Sequence, residues 1–77
     1  MSAAAKLEDI VSRTSADIAA EIAEEIRAGR LRSGDRIVYQ DLIDRYAVSR
    51  ATIQRAMVRL DALGLIQYRS GRGVYVR

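Results

Sequence analysis

Apolar residues recur at helical spacing in three separate stretches of the chain. The first stretch places Ile18, Ile22 and Ile26 on one stripe, with alanines beside them, and therefore predicts an amphipathic helix. Its N-cap is expected at Ser15 or Thr14, because a hydroxyl oxygen can accept a hydrogen bond from the first free backbone amides. A glycine three residues after the stripe is expected to end this helix.

The second and third helices are predicted close together, with a tight turn between them. The second covers about residues 40–46 and buries Leu42, Ile43 and Tyr46. Val48 in the turn is expected to point inward, and Ser49 is expected to cap the third helix, which runs to about residue 63. The apolar positions of the third helix keep a spacing of three and four and are expected to face the core. They are Ile53, Ala56, Met57, Leu60 and Leu63.

Alternating apolar and polar residues predict strands in the last part of the chain. Residues 65–69 and 74–77 form two short strands, and the glycine-containing segment 70–73 forms the turn of a hairpin. Residues 36–38 are expected to form a further, very short strand. The predicted fold class is mainly α with a small β-hairpin: a winged helix-turn-helix with a three-helix core plus a wing. This domain is expected to cover residues 15–77.

The N-terminal extension, residues 1–14, has a weaker pattern. Leu7, Ile10 and Val11 are consistent with a short helix or with an extension of the first predicted helix. Their apolar side chains have two possible uses, an interface between two copies of the chain or packing onto their own domain. The sequence leaves both open.

Composition excludes several kinds of chemistry. The 77 residues contain no cysteine and no histidine, which removes disulfides, thiolate metal sites and the commonest general base. The scattered acids Asp41, Asp44 and Asp61 show neither a partnering base nor metal-ligand spacing. We therefore expect no enzyme, no metal and no cofactor.

The sequence also predicts where the chain is located. Its apolar runs are far shorter than the roughly 20 residues of a membrane span. The N-terminus lacks the basic, apolar and small-residue regions that follow one another in a signal peptide. A cytoplasmic location is therefore expected.

Charge is distributed unevenly along the chain. Residues 1–44 contain six basic and nine acidic residues, whereas residues 45–77 contain seven arginines and one acid, Asp61. A solvated basic face is the ordinary explanation of such a surplus. Every basic residue of the second part is arginine, however, and arginine suits bidentate contacts with phosphate and guanine. The pattern therefore favours a polyanionic partner.

The outward face of the third helix carries the candidate binding residues. Arg50 can bond to guanine O6 and N7 or to a phosphate, while Gln54 has the amide geometry that pairs with adenine. Small Ala51 suits a thymine methyl group, and the Ser49 and Thr52 hydroxyls suit phosphate oxygens. Alone, this face is also compatible with any amphipathic helix. The predicted DNA-binding residues, including those of the wing, are Ser49, Arg50, Ala51, Thr52, Gln54, Arg55, Arg59, Gly71 and Arg72.

The hairpin turn supplies the last two of these residues. Gly71 permits a positive φ and a close approach to another surface, and Arg72 can enter a minor groove or contact phosphate. A simple glycine hairpin would have the same sequence. Because the hairpin follows shortly after a candidate recognition helix, we interpret it as the wing of a winged helix.

Four segments together resemble the GntR family of bacterial transcription regulators. They are residues 28–36, 48–53, 60–66 and 71–76, and they contain Ala-Gly-Arg-Leu, Ser-Gly-Asp-Arg, Val-Ser-Arg-Ala-Thr-Ile, Leu-Asp-Ala-Leu-Gly-Leu-Ile and Gly-Arg-Gly-Val-Tyr-Val. The resemblance implies a homodimer that binds double-stranded DNA at a palindromic operator. It also implies DNA contacts at six of the residues above: Ser49, Arg50, Thr52, Gln54, Gly71 and, at the tip of the wing, Arg72. The chain would be a repressor, and the alternative is a winged-helix protein-interaction adaptor without DNA specificity.

The chain departs from the family pattern in three places. The start of the second helix, residues 37–41, is one residue shorter and lacks the usual serine cap and arginine contact. Gln54 replaces an arginine common in the recognition helix, so adenine is expected where relatives contact guanine. Members of the family normally continue into a C-terminal domain that binds a small effector, whereas this sequence ends directly after the wing, at Arg77. A small-molecule effector site within these residues is therefore not expected.

Overall fold

Residues 14–77 are described by a computed structural model, and they form three helices and a three-stranded antiparallel sheet. The elements in chain order are α1 Ser15–Arg27, β1 Arg36–Ile37, α2 Tyr39–Tyr46, α3 Arg50–Ala62, β2 Ile66–Arg69 and β3 Gly73–Val76. The predicted fold class is confirmed. The expectations for Leu7, Ile10 and Val11 lie outside the described residues. Within residues 14–77, none of the helices has the length and apolar character needed to cross a bilayer.

Local hydrogen bonds explain where α1 begins. The Thr14 hydroxyl accepts from the Asp17 backbone amide at 3.2 Å, and the Asp17 carboxylate accepts from the Thr14 amide at 3.2 Å. This reciprocal capping box satisfies two amides that the helix itself leaves unpaired. Of the two predicted caps, Thr14 is therefore the one used.

The turn between α2 and α3 sets the direction in which α3 begins. Ala47 adopts the left-handed conformation, with φ of +54°, and Val48 is half-buried against the core. Ser49 then caps α3 by accepting from the Thr52 backbone amide at 3.2 Å. The inward position of Val48 and the capping role of Ser49 agree with the sequence predictions.

One hydrophobic core joins all the elements. It consists of Ile18, Ala19, Ile22, Ala23, Ile37, Leu42, Tyr46, Ile53, Ala56, Met57, Leu60, Ile66, Val74 and Val76. Ile43, predicted to be buried, is only partly so and packs against this cluster. The prediction for Leu63 was wrong, because its side chain is 59% exposed. Leu63 is the C-cap of α3, where the chain reverses at Gly64, and the following Leu65 packs on the core instead.

The sheet brings a distant segment against the wing. β3 is the central strand, with β2 on one side and β1 on the other. In the register of β1 on β3, Arg36 lies opposite Tyr75 and Ile37 lies opposite Val74. The predicted short strand therefore exists over Arg36–Ile37, and its pairing places Arg36 at the base of the hairpin.

An ion pair connects α1 to α2. The Arg45 guanidinium donates to both carboxylate oxygens of Glu25. The hydrogen bond from Arg45 holds the pKa of Glu25 below its usual value of 4.5, although partial burial opposes this shift. The same hydrogen bond raises the pKa of Arg45. Because the Arg45 side chain is 48% exposed, solvent screening limits the contribution of the pair to stability.

Glu25→Gln is expected to lower the free energy of unfolding by roughly 0.5–1 kcal/mol at pH 7. A carboxylate with a lowered folded-state pKa stabilises the fold above its unfolded pKa and loses that effect as the pH falls through the folded value. The difference between Glu25→Gln and the wild type should therefore vanish in acid, below pH 4.5. Urea unfolding at several pH values measures this. Glu24→Gln, at an exposed neighbouring position, is the control, and an equal loss in both variants would contradict the assignment.

Candidate nucleic-acid interface

Burial of one side of α3 determines which side faces solvent. Ile53, Met57 and Leu60 are completely buried, so the opposite side of the helix is available to a partner. The predicted helix residues lie where the sequence placed them: Arg50, Ala51, Gln54, Arg55 and Arg59 are exposed, and Thr52 is half-buried. Val58 lies on the same face and is 63% exposed.

The N-terminus of α3 presents hydroxyl groups and a positive helix end. The Ser49 hydroxyl accepts from the Thr52 amide and lies 3.1 Å from the Thr52 hydroxyl. Ser49 therefore has a structural role as a cap in addition to any contact with a phosphate. The free amides of the first turn and the helix dipole favour a negative group at this end.

Arg50 is held toward the start of α2. Its guanidinium carbon lies 5.6 Å from the centre of the Tyr39 ring, a distance typical of a cation–π contact. Burial raises the pKa of Tyr39, while a hydrogen bond with Tyr68 and the nearby Arg50 charge oppose the shift. Tyr39 thus connects Arg50 to the strand β2. The contact restricts Arg50 before any partner arrives.

The wing is a tight turn with an exposed arginine at its tip. Gly71 has φ of +70°, a conformation that side chains disfavour, and nothing lies within 4 Å of the position a Cβ would take. The Arg72 amide donates to the Arg69 carbonyl at 2.9 Å, and the Tyr75 hydroxyl donates to the Arg72 carbonyl at 3.3 Å. These bonds fix the backbone of the turn and leave the Arg72 side chain in solvent.

A groove of about 370 Å³ lies beside the N-terminus of α3. Its lining residues are Arg36, Ile37, Val38, Tyr39, Gln40, Arg50, Gly73 and Val74. Sequence reasoning found Arg50 here but missed Arg36 and Tyr39. The predicted short strand was the available signal for Arg36, but its partner strand was not specified.

The arginines of the interface have no acidic partner within residues 14–77. The ion pair described in that part of the chain involves Glu25 and Arg45, away from the outward face of α3. The same residues contain no group of three or more acidic side chains that could hold a metal ion. The arrangement can therefore attract and contact a polyanion through several free guanidinium groups.

The family of bacterial regulatory proteins named gntR matches residues 14–76, nearly the whole described part of the chain. The chain belongs to the GntR family. Among curated relatives, the Uxu operon regulator of Haemophilus influenzae is 32% identical over 91% of this chain and 27% of its own length. The transcriptional regulator LutR of Bacillus subtilis is 34% identical over 68% of this chain and 24% of its own length. The chain thus spans about a quarter of these relatives.

Solved structures of GntR-family proteins agree with the fold. The DNA-binding domain of AraR, crystallised in complex with the operator ORR3, matches with a TM-score of 0.75 and 30% identity. That match covers 82% of this chain and 77% of the AraR chain. The possible regulator YydK of Bacillus subtilis matches with a TM-score of 0.73 and 33% identity, over 82% of this chain and 28% of its own. Residues 14–76 of this chain thus form a winged-helix domain of the GntR type, similar to a DNA-binding domain crystallised with operator DNA, and the curated relatives are transcription regulators.

Proposed function

We propose that this GntR-family chain represses transcription by binding a palindromic operator as a homodimer. In this proposal α3 lies in the major groove, and the wing lies in the minor groove or on the phosphate backbone. The observation that carries the proposal is the outward face of α3, where Arg50, Arg55 and Arg59 surround Gln54 without an acidic partner in residues 14–77. The AraR complexes show that a similar domain binds operator DNA.

The proposed contacts divide into two kinds. Arg55, Arg59 and the Ser49 and Thr52 hydroxyls contact phosphates, and these contacts set the position of the helix. Two other residues of the helix contact base edges: Gln54 bonds to adenine, and Ala51 packs against a thymine methyl group. Arg50 contacts either guanine or a phosphate. Gly71 and Arg72 contact the DNA from the wing. The proposed place of action is the cytoplasm, at the bacterial nucleoid.

Selection of bound duplexes from a random pool tests this function. The expected result is an inverted repeat whose half-sites lie about one helical turn, roughly 34 Å, or a multiple of it apart. A selected site placed across a promoter should then reduce transcription when the protein is added. Absence of salt-sensitive DNA binding would contradict the proposal and favour the protein-interaction adaptor, for which exposed Val58 is a candidate contact.

Arg72→Ala is expected to weaken binding to the selected duplex by at least about tenfold, because a hydrogen bond to a charged group contributes roughly 1.5–3 kcal/mol and each subunit loses one. Loss of one phosphate contact per subunit should also make the negative slope of log K against log salt shallower, by about 0.9 for each subunit and about 1.8 for the homodimer. Fluorescence anisotropy at several salt concentrations measures both quantities. Ser70→Ala, in the same turn, is the uncharged control. Equal affinity and slope in the two variants would remove Arg72 from the interface.

A further inference from the structure

The groove beside the N-terminus of α3 has a composition that suits an anion. Two of its lining residues, Arg36 and Arg50, are positively charged, and none of its lining residues is acidic. Neither guanidinium has a carboxylate partner within residues 14–77. The groove has a volume of about 370 Å³ and is open to solvent, so it leaves room for a phosphate group.

Arg36 is positioned by the sheet and by a glycine. The pairing of β1 with β3 puts Arg36 opposite Tyr75, at the base of the wing. Its guanidinium lies across Gly73, where an added Cβ would be 3.3 Å from Nε and 3.6 Å from Nη2 of Arg36. The missing side chain at Gly73 therefore provides the space that the Arg36 guanidinium occupies. Such packing places the positive charge on one wall of the groove.

The other charged residue of the groove comes from α3. Arg50 lies over the ring of Tyr39, with its guanidinium carbon 5.6 Å from the ring centre. Such a cation–π contact leaves guanidinium N–H groups available to acceptors. The Tyr39 ring is partly buried and packs against the hydrophobic core, which limits its movement. The groove is thus formed before a ligand arrives.

We infer that Arg36 contacts a phosphodiester of the DNA backbone, in the groove that it shares with Arg50. This inference rests on the proposed DNA-binding function and adds a residue to it. A phosphodiester fits better than a base edge, because the groove offers charge from two sides and little beyond Gln40 to distinguish one base from another. Arg36 therefore increases affinity equally for all sequences and does not change base preference.

The test compares Arg36→Gln with Arg27→Gln, which removes the same charge from the last turn of α1, outside the groove. Anisotropy titrations use two labelled duplexes, the selected site and an unrelated sequence, at several salt concentrations. We expect Arg36→Gln to bind both duplexes at least about tenfold more weakly and to make the negative slope of log K against log salt shallower, by about 0.9 for each subunit and about 1.8 for the homodimer. The Arg27→Gln variant should bind like the wild type apart from a small, uniform effect of net charge.

A second variant separates phosphate binding from support of the wing. Arg36→Lys keeps the charge, so it should retain the wild-type salt slope, and thermal melting establishes that each variant is folded. If Arg36→Gln is folded and matches Arg27→Gln in affinity and slope while the wild type binds DNA, the inference is wrong and the proposed function stands. If Arg36→Gln weakens only the selected duplex, Arg36 contacts bases, which also overturns the inference. A wild type without salt-sensitive binding would overturn both.

Discussion

Leu60→Ala is expected to lower the free energy of unfolding by about 2–5 kcal/mol. Leu60 is completely buried in α3, in the same cluster as Ile53 and Met57, so its removal leaves a cavity between helices and sheet. A domain of this size has a total stability of roughly 3–10 kcal/mol, at about 0.05–0.15 kcal/mol per residue. The substitution therefore removes a large share of this stability, and the Tm should fall by roughly 4–8 °C for each kcal/mol lost.

The same substitution three residues later provides a matched control. Leu63 belongs to the end of the same helix but is 59% exposed, so Leu63→Ala should change the free energy of unfolding by less than about 0.5 kcal/mol. Urea denaturation followed by circular dichroism gives both values. Comparable losses in the two variants would mean that Leu63 is covered in solution, by a second copy of the chain or by residues outside the described part.

The contrast between these leucines shows what helical periodicity can and cannot predict. The spacing of three and four correctly identified Ile53, Ala56, Met57 and Leu60, because a continuous helix keeps these positions on one side. Periodicity contains no information on where the helix ends. Leu63 keeps the spacing but forms the C-cap, so the sequence prediction of a buried side chain failed there.

For the candidate interface, the sequence predicted the positions that lie within one element but not the contacts between elements. The outward face of α3 followed from the burial of the opposite face, and Gly71 and Arg72 followed from the turn sequence. The groove could not be predicted, because Arg36 reaches it through the pairing of β1 with β3, strands that are far apart in the chain. The stacking of Arg50 on Tyr39 likewise depends on how α2 and α3 meet. Both are tertiary contacts between short elements without a sequence pattern of their own.

Gln54→Ala is expected to remove most of the base preference at one position of each half-site. An amide that makes two hydrogen bonds to adenine contributes about 1–3 kcal/mol of discrimination, which corresponds to roughly 5–150-fold between the preferred and the wrong base. Gln54 is exposed on the face of α3 that the buried residues direct outward, one turn after the N-terminus. Repeating the duplex selection with the variant measures the change, and Gln54→Arg should shift the preference at that position toward guanine.

Arg55, the next residue, is proposed to contact a phosphate, so its substitution should change the salt dependence of binding and not the sequence preference. The opposite result is expected for Gln54. Because an uncharged amide releases no counterions, Gln54→Ala should leave the salt slope of binding unchanged. Arg55→Ala, at the next position and also exposed, should make that negative slope shallower by about 0.9 for each subunit, about 1.8 for the homodimer, while the selected sequence stays the same. If Arg55→Ala alters the selected sequence, the phosphate contact assigned to Arg55 is wrong. If Gln54→Ala retains the wild-type sequence preference, the assignment of the adenine contact to Gln54 is wrong. Specificity would then arise from Arg50 or from the shape of the DNA, since sequence-dependent deformability also discriminates between sites.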